Sequence, residues 1–197
     1  MAAGSTYTPI ATTTASGSVS SITFTGISGS YTDILLVCNA YYTTSSRTSF
    51  SIQVGNGSID TGTNYSWTGL YGNGTTAASS RYSSDTQISD NSKGISTTAG
   101  ANIITWHFQN YSNTTTYKTI LSRGADAAGG IDIALVNLWR GSTGSSTEAI
   151  TSVTIYPYGS GNVFNSGSTF SVYGIAAEGT SPAPKATGGA IYQDSTY

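Results

Sequence analysis

Asn102-Ile-Ile-Thr-Trp-His-Phe-Gln109 alternates apolar and polar side chains, and this period decides how the rest of the chain is read. Ile104, Trp106 and Phe108 share one face of an extended segment, with Thr105, His107 and Gln109 on the other, because successive side chains of a strand point to opposite sides. Ile131, Ile133 and Leu135 repeat the pattern opposite Asp132 and Ala134. Such segments belong to a half-buried sheet.

Working outward, Val19 to Thr25, Ile34 to Tyr41, Phe50 to Val54, Tyr65 to Tyr71, Tyr117 to Leu121, Ile150 to Tyr156 and Phe170 to Ile175 read as further short strands. Between them lie Ser28-Gly29-Ser30, Gly55-Asn56-Gly57, Gly72-Asn73-Gly74, Gly124 to Gly130 and Gly159-Ser160-Gly161-Asn162, which supply the positive φ values that turns require. No stretch sustains a 3.6-residue period. Many short strands without intervening helices predict an all-β fold, an antiparallel β-sandwich or jelly roll. The polar stretch Ala77 to Ala101 is too long for a hairpin turn and reads as an excursion. The expected division is a sandwich domain over 1–177, with 1–7 as an N-terminal arm, followed by a Pro- and Gly-containing linker or arm over 178–197.

Composition narrows the function classes. The chain has 197 residues, enough for one domain with a full core. Only 8% of residues are charged and the net charge is -2, so nothing is available to neutralise a row of phosphates and nucleic-acid binding is not expected. Disorder is not expected either, because 11% of residues are aromatic. The apolar run Ile34 to Cys38 is far shorter than the ~20 residues of a membrane span, and Met1 to Ser5 lacks signal-peptide character. Synthesis in a cytoplasm is expected. Cys38 is the only cysteine, so no internal disulfide forms, and its apolar setting predicts a buried, inert thiol.

Chemistry-bearing residues are few. His107 is the only histidine, which excludes a multi-histidine metal site within one chain; it is read as a polar-face residue of its strand. No Gly-x-Ser-x-Gly elbow, phosphate loop or dinucleotide fingerprint occurs. The acids Asp33, Asp60, Asp85, Asp90, Asp126, Asp132, Glu148, Glu178 and Asp194 show no hallmark spacing for glycoside hydrolysis. Asp85 and Asp90-Asn91 carry calcium-type oxygens, but turns explain them better. No metal, cofactor or catalytic residue is assigned. Asn56, Asn64, Asn73, Asn110 and Asn113 begin Asn-x-Ser/Thr sequons that so Ser- and Thr-rich a chain produces by chance. Tyrosine, fourteen in all, is the informative enrichment. Tyr41, Tyr42, Tyr65, Tyr71, Tyr82, Tyr156 and Tyr158 fall near predicted strand ends and loops, where an amphipathic ring stacks on a sugar or a partner. Filling ordinary strand positions is the competing role.

Tyr7-Thr-Pro-Ile-Ala-Thr-Thr-Thr14, Val19-Ser-Ser-Ile-Thr-Phe24, Tyr31-Thr-Asp-Ile-Leu-Leu-Val37, Asn64-Tyr-Ser-Trp67, Gln109 to Thr119, Leu138-Trp-Arg140 and Thr169 to Ile175 together resemble a β-sandwich domain of tailed-phage virion proteins, notably those of cyanobacterial and marine phages. The resemblance implies a non-enzymatic structural protein displayed on capsid or tail, as decoration, adaptor or fibre, assembled in the host cytoplasm and exposed outside the cell. Its implied partners are other virion subunits, with host surface glycans as a further contact. A carbohydrate-binding module using exposed tyrosines is the alternative, and a glycoside hydrolase with paired carboxylates a more distant one. A homo-oligomer is expected, because a sandwich has edge strands that must be covered. Threefold symmetry is favoured from the resemblance.

Overall fold

The computed structural model describes residues 6–42, 49–89, 97, 102–126 and 131–176. Its strands are β1 (Tyr7–Thr14), β2 (Ile22–Phe24), β3 (Asp33–Asn39), β4 (Phe50–Gly55), β5 (Tyr65–Gly72), β6 (Ala77–Asp85), β7 (Ile88–Ser89), β8 (Asn102–Gln109), β9 (Lys118–Asp126), β10 (Ile131–Trp139), β11 (Ser152–Pro157) and β12 (Thr169–Ile175). They form two antiparallel sheets packed together, the predicted all-β sandwich. The larger sheet runs β1-β12-β3-β8-β9-β10-β5-β6 and the smaller β2-β11-β4-β7.

Strands with a clear apolar face sit near the positions that alternation assigns them. Those that alternation misses have a common cause. β6 is an edge strand of Ala and Ser whose side chains are almost all exposed, so burial imposes no pattern on it; pairing with β5 from Ser66↔Ser83 to Gly72↔Ala77 holds it. This corrects the reading of Ala77 to Ala101 as an excursion, although 90–96 and 98–101 lie outside the described residues. β1 is the other edge, where Pro9 is tolerated next to a bulge because an edge strand offers half its N–H groups to solvent. Tyr7, assigned to an arm, begins this strand. The expectations for residues 1–5 and for 178–197 fall outside the described residues.

Turns form at Gly57, Gly74 and Gly159 to Gly161 as their chemistry requires, whereas Gly124, predicted to open a turn, lies inside β9, and 127–130 fall outside the described residues. Gly57 and Gly74 adopt φ of 81° and 83°, and Asn73 Oδ1 accepts from the amides of Thr75 and Thr76 at 3.1 and 2.8 Å. Asn113 repeats this device on Thr115 and Thr116. Two of the sequon asparagines are thus turn formers.

Between the sheets, Phe50 of β4 meets Trp106 of β8 edge to face at 5.8 Å, and Phe164 joins Phe50 to Phe170 of β12. Cys38 is fully buried beside them, and desolvation raises its thiol well above its ordinary value. Gly174 leaves room for the ring of Tyr31, which would have to move for any larger residue because a Cβ there would stand 2.4 Å from it. One polar cluster also crosses the interior. Val54 of β4 lies past Ser51 and Ile52, the residues that β7 pairs, and the Tyr65 hydroxyl bonds both its N–H at 3.1 Å and its C=O at 3.0 Å. The same hydroxyl lies 2.7 Å from the carbonyl of Asp60, whose buried carboxylate accepts from Trp139 Nε1 at 2.7 Å and from Gly62 N at 2.8 Å.

Tyr65→Phe removes one oxygen and takes this partner from the Val54 N–H and the Asp60 C=O, while the Val54 C=O keeps the Asp60 N–H at 2.9 Å. The expected loss is about 1–3 kcal/mol, read as a lower urea midpoint with an unchanged slope; an unaltered midpoint would show that water satisfies the site.

Glu148 closes the 141–148 loop. Its carboxylate accepts from the Ser142 hydroxyl at 2.7 Å and the Ser146 hydroxyl at 2.8 Å, bonds that hold its pKa below the ordinary value. A carboxyl depressed in the fold adds stability above its unfolded pKa, about 4.3, and loses it as pH falls through the folded value. The stability advantage over Glu148→Gln is therefore expected to shrink between about pH 5 and pH 3, measured by urea unfolding at each pH. A constant difference would assign the Ser142 and Ser146 bonds no ionic character.

Candidate functional site

The structure divides the tyrosines singled out by sequence. Tyr42 and Tyr65 are completely buried, which corrects their assignment to a ligand-contacting surface: the first belongs to the core and the second ties the sheets together. Tyr41 is half-buried and donates to the carbonyl of Ser166 at 2.5 Å, a loop-closing role away from the other candidates. Tyr71 is exposed at the far end of β5, beside Ala78. Tyr82 and Tyr158 come together, with Tyr156 behind them, at the side of the sandwich where the edge strands β6 and β7 approach.

This cleft, about 300 Å³, owes its shape to a register fault. Tyr65 pairs with Asp85 but Ser66 with Ser83, so Ser84 is the extra residue of a β-bulge, at φ 59°. A non-glycine residue in that region costs about 1–2 kcal/mol. In an unbroken strand Asp85 would point away from Tyr82. The bulge returns it to the same face, and Asp85 Oδ2 then accepts from Trp67 Nε1 at 3.2 Å while Oδ1 accepts from Thr86 N at 2.7 Å. Tyr82 stacks on Trp67 with centroids 4.8 Å apart and planes 27° from parallel. Tyr158 and Gln87 also line the cleft, and Gln87 Oε1 accepts from the Tyr156 hydroxyl at 2.6 Å. Burial raises the Tyr156 phenol pKa, which keeps it the donor of that bond.

The outer face of the large sheet is a second candidate. One continuous row of cross-strand partners runs Tyr173, Leu35, His107, Leu121, Val136, Thr68 and Arg81, from β12 to β6. The neighbouring row carries Val37, Thr105, Arg123, Ala134 and Leu70. Along these rows lies a hollow of about 730 Å³, floored by Leu35, Leu70, Leu121, Val136 and Ile175 and bounded by Tyr7. Leu70 is 65% and Val136 55% exposed, although both sit in the middle of strands. A further hollow of about 450 Å³ on this face holds Arg81 and Arg140. Sequence reasoning assigned Leu121 and Leu70 to strands but not to a face, and their parity opposite Ile120 and Gly69 places them outside.

His107 lies on this outer face, as alternation predicts, with Nε2 2.8 Å from Asp33 Oδ2, while Asp33 Oδ1 accepts from Asn110 N at 2.8 Å. The pair fastens the start of β3 to the end of β8. Among the described residues no three His, Cys, Asp or Glu side chains gather to hold a metal ion. Asp85 is engaged with Trp67 and Thr86, and Asp90 and Asn91 lie outside the described residues. Comparison with known proteins gave no matching family model, no matching curated protein and no matching solved structure.

Removing the Tyr82 ring uncovers Trp67, whereas Trp106 and Trp139 stay buried. Tyr82→Ala is therefore expected to shift tryptophan emission to the red and to lower stability by about 0.5–1.5 kcal/mol, read as a lower urea midpoint; an unmoved spectrum would mean that the two rings do not stack in solution.

Proposed function

We propose that this chain is a non-enzymatic structural module of a phage particle, displayed on capsid or tail, and that its outer sheet face packs against a second copy of the chain. The observation that carries the reading is a patch of aliphatic side chains on two neighbouring rows in the middle of the large sheet, Leu121, Val136 and Leu70 exposed and Leu35 half-buried. Contiguous apolar surface of this kind marks interaction sites on soluble domains. Its lining is mainly aliphatic by surface, with Thr68, Thr105, His107 and Arg123 among it, a mixture that suits packing against another subunit. The phage setting and the preference for a threefold oligomer rest on the sequence resemblance.

Light scattering of the purified chain tests this reading. The wild type is expected to self-associate, and Leu70→Lys with Val136→Lys to give a folded monomer, because charges at exposed positions cost the fold roughly 0.5 kcal/mol or less. A wild type that stays monomeric at high concentration, or a double variant that assembles equally well, would overturn it. Mass spectrometry of purified particles tests the setting: a polypeptide made in infected cells but missing from the particles is not a virion component.

A further inference from the structure

We propose that the cleft between Tyr82 and Tyr158 is a binding site for a neutral saccharide, a pyranose ring held between aromatic faces and hydrogen-bonded by Asp85 and Gln87. The site is separate from the outer face and does not depend on assembly.

Three features of the cleft point to this ligand. Tyr82 and Tyr158 are 49% and 48% exposed, yet Tyr82 is fixed in place by its stack on Trp67. A rigid ring that stays half in water offers an apolar face to the C–H side of a sugar at little entropic cost. The polar groups are also preorganised. Trp67 Nε1 and Thr86 N orient the Asp85 carboxylate, leaving each oxygen a second lone pair, and the Tyr156 hydroxyl takes Gln87 Oε1 so that the amide NH2 is the end presented to a ligand. An acceptor of vicinal hydroxyls and a donor thus stand beside stacking faces. The third feature is the strain at Ser84. An αL bulge residue has a cost, and its visible consequence is to bring Asp85 onto the Tyr82 side.

Size and charge define the class further. A volume of about 300 Å³ lies at the small end of ligand pockets, room for a terminal sugar or a short stretch of chain rather than a protein segment. Among the described residues Asp85 is the one charged group lining the cleft, where a uronate or sialic acid would meet a like charge and an uncharged hexose would not.

The full-length chain is titrated with the methyl pyranosides of glucose, galactose, mannose and N-acetylglucosamine, with glycerol as a polyol control, and tryptophan emission is followed. At least one sugar is expected to give a saturable change with a dissociation constant of about millimolar order, and glycerol none. Tyr158→Ala, which leaves the Trp67 reporter in place, is expected to weaken binding roughly tenfold. Asp85→Asn, nearly isosteric, is expected to weaken it similarly and keeps the test readable if Tyr158→Ala fails to fold. Leu70→Lys on the outer face is expected to leave it unchanged. No saturable response to any of the four sugars, a response indifferent to both cleft substitutions, or one lost in Leu70→Lys would overturn the assignment. The self-association of the chain is measured separately, so failure of the assembly reading and failure of this one are distinguishable.

Discussion

The hydroxyl of Tyr65 bridges the two sheets at the place where the smaller one ends. β11 pairs β4 along its length, but β7 pairs only Ser51 and Ile52, so on that side Val54 has no strand beside it, and its C=O is met by the Asp60 amide at 2.9 Å. A buried N–H or C=O without a partner costs about as much as a lost hydrogen bond. One phenol on β5 accepts from the Val54 N–H and shares its single proton between the carbonyls of Asp60, at 2.7 Å, and Val54, at 3.0 Å. The Asp60 carboxylate then binds Trp139 of β10 and the amide of Gly62, so the loop after β4 is locked to the larger sheet. Burial of a charge is tolerable only with such a full set of donors. The spacing of the sheets at this end therefore follows from the reach of a tyrosine and a tryptophan.

The asymmetry of eight strands against four has consequences for both candidate surfaces. A four-stranded sheet covers only part of the inner face of an eight-stranded one, and β5 and β6 extend toward the uncovered side. There Trp67, Ile133 and Leu135 form a small apolar cluster separate from the main core. Because β6 is a polar edge strand, it contributes little burial, and the stack of Tyr82 on Trp67 is its main side-chain anchor. The aromatic cleft is thus a product of how the fold finishes its edge. The outer face, in contrast, carries aliphatic side chains in central strands, where no constraint of folding demands them.

Legibility in the sequence followed burial. β3, β8, β10 and β12 alternate cleanly because one face of each enters the core, and their positions are evident from Ile34, Leu36, Trp106, Leu135 and Val172. β6 has no buried face, so Ala77 to Asp85 carries no periodic signal and was read as loop. Site residues were legible by type but not by place. Tyrosine serves equally as core, clamp and platform, and composition does not separate Tyr65 from Tyr82. The partner of Tyr65 is Asp85 and not Ser84, and this single slip, invisible in the sequence, decides that a carboxylate joins the aromatic pair.

A bulge in an edge strand has a further effect that connects stability to recognition. Regular β6 would present a flat row of N–H and C=O groups after its pairing with β5, an invitation to another strand. Ser84 breaks that row at φ 59° and Arg81 places a charge on the outer side. The same distortion that turns Asp85 toward Trp67 therefore makes this edge a poor template for strand addition. At the opposite edge, Pro9 and the shift between Pro9 and Ala11 act in the same sense on β1. Both edges of the large sheet are thus blunted in the backbone, so the assembly proposed above would have to be driven by side chains, and the aliphatic ones on the outer face are those placed to do it.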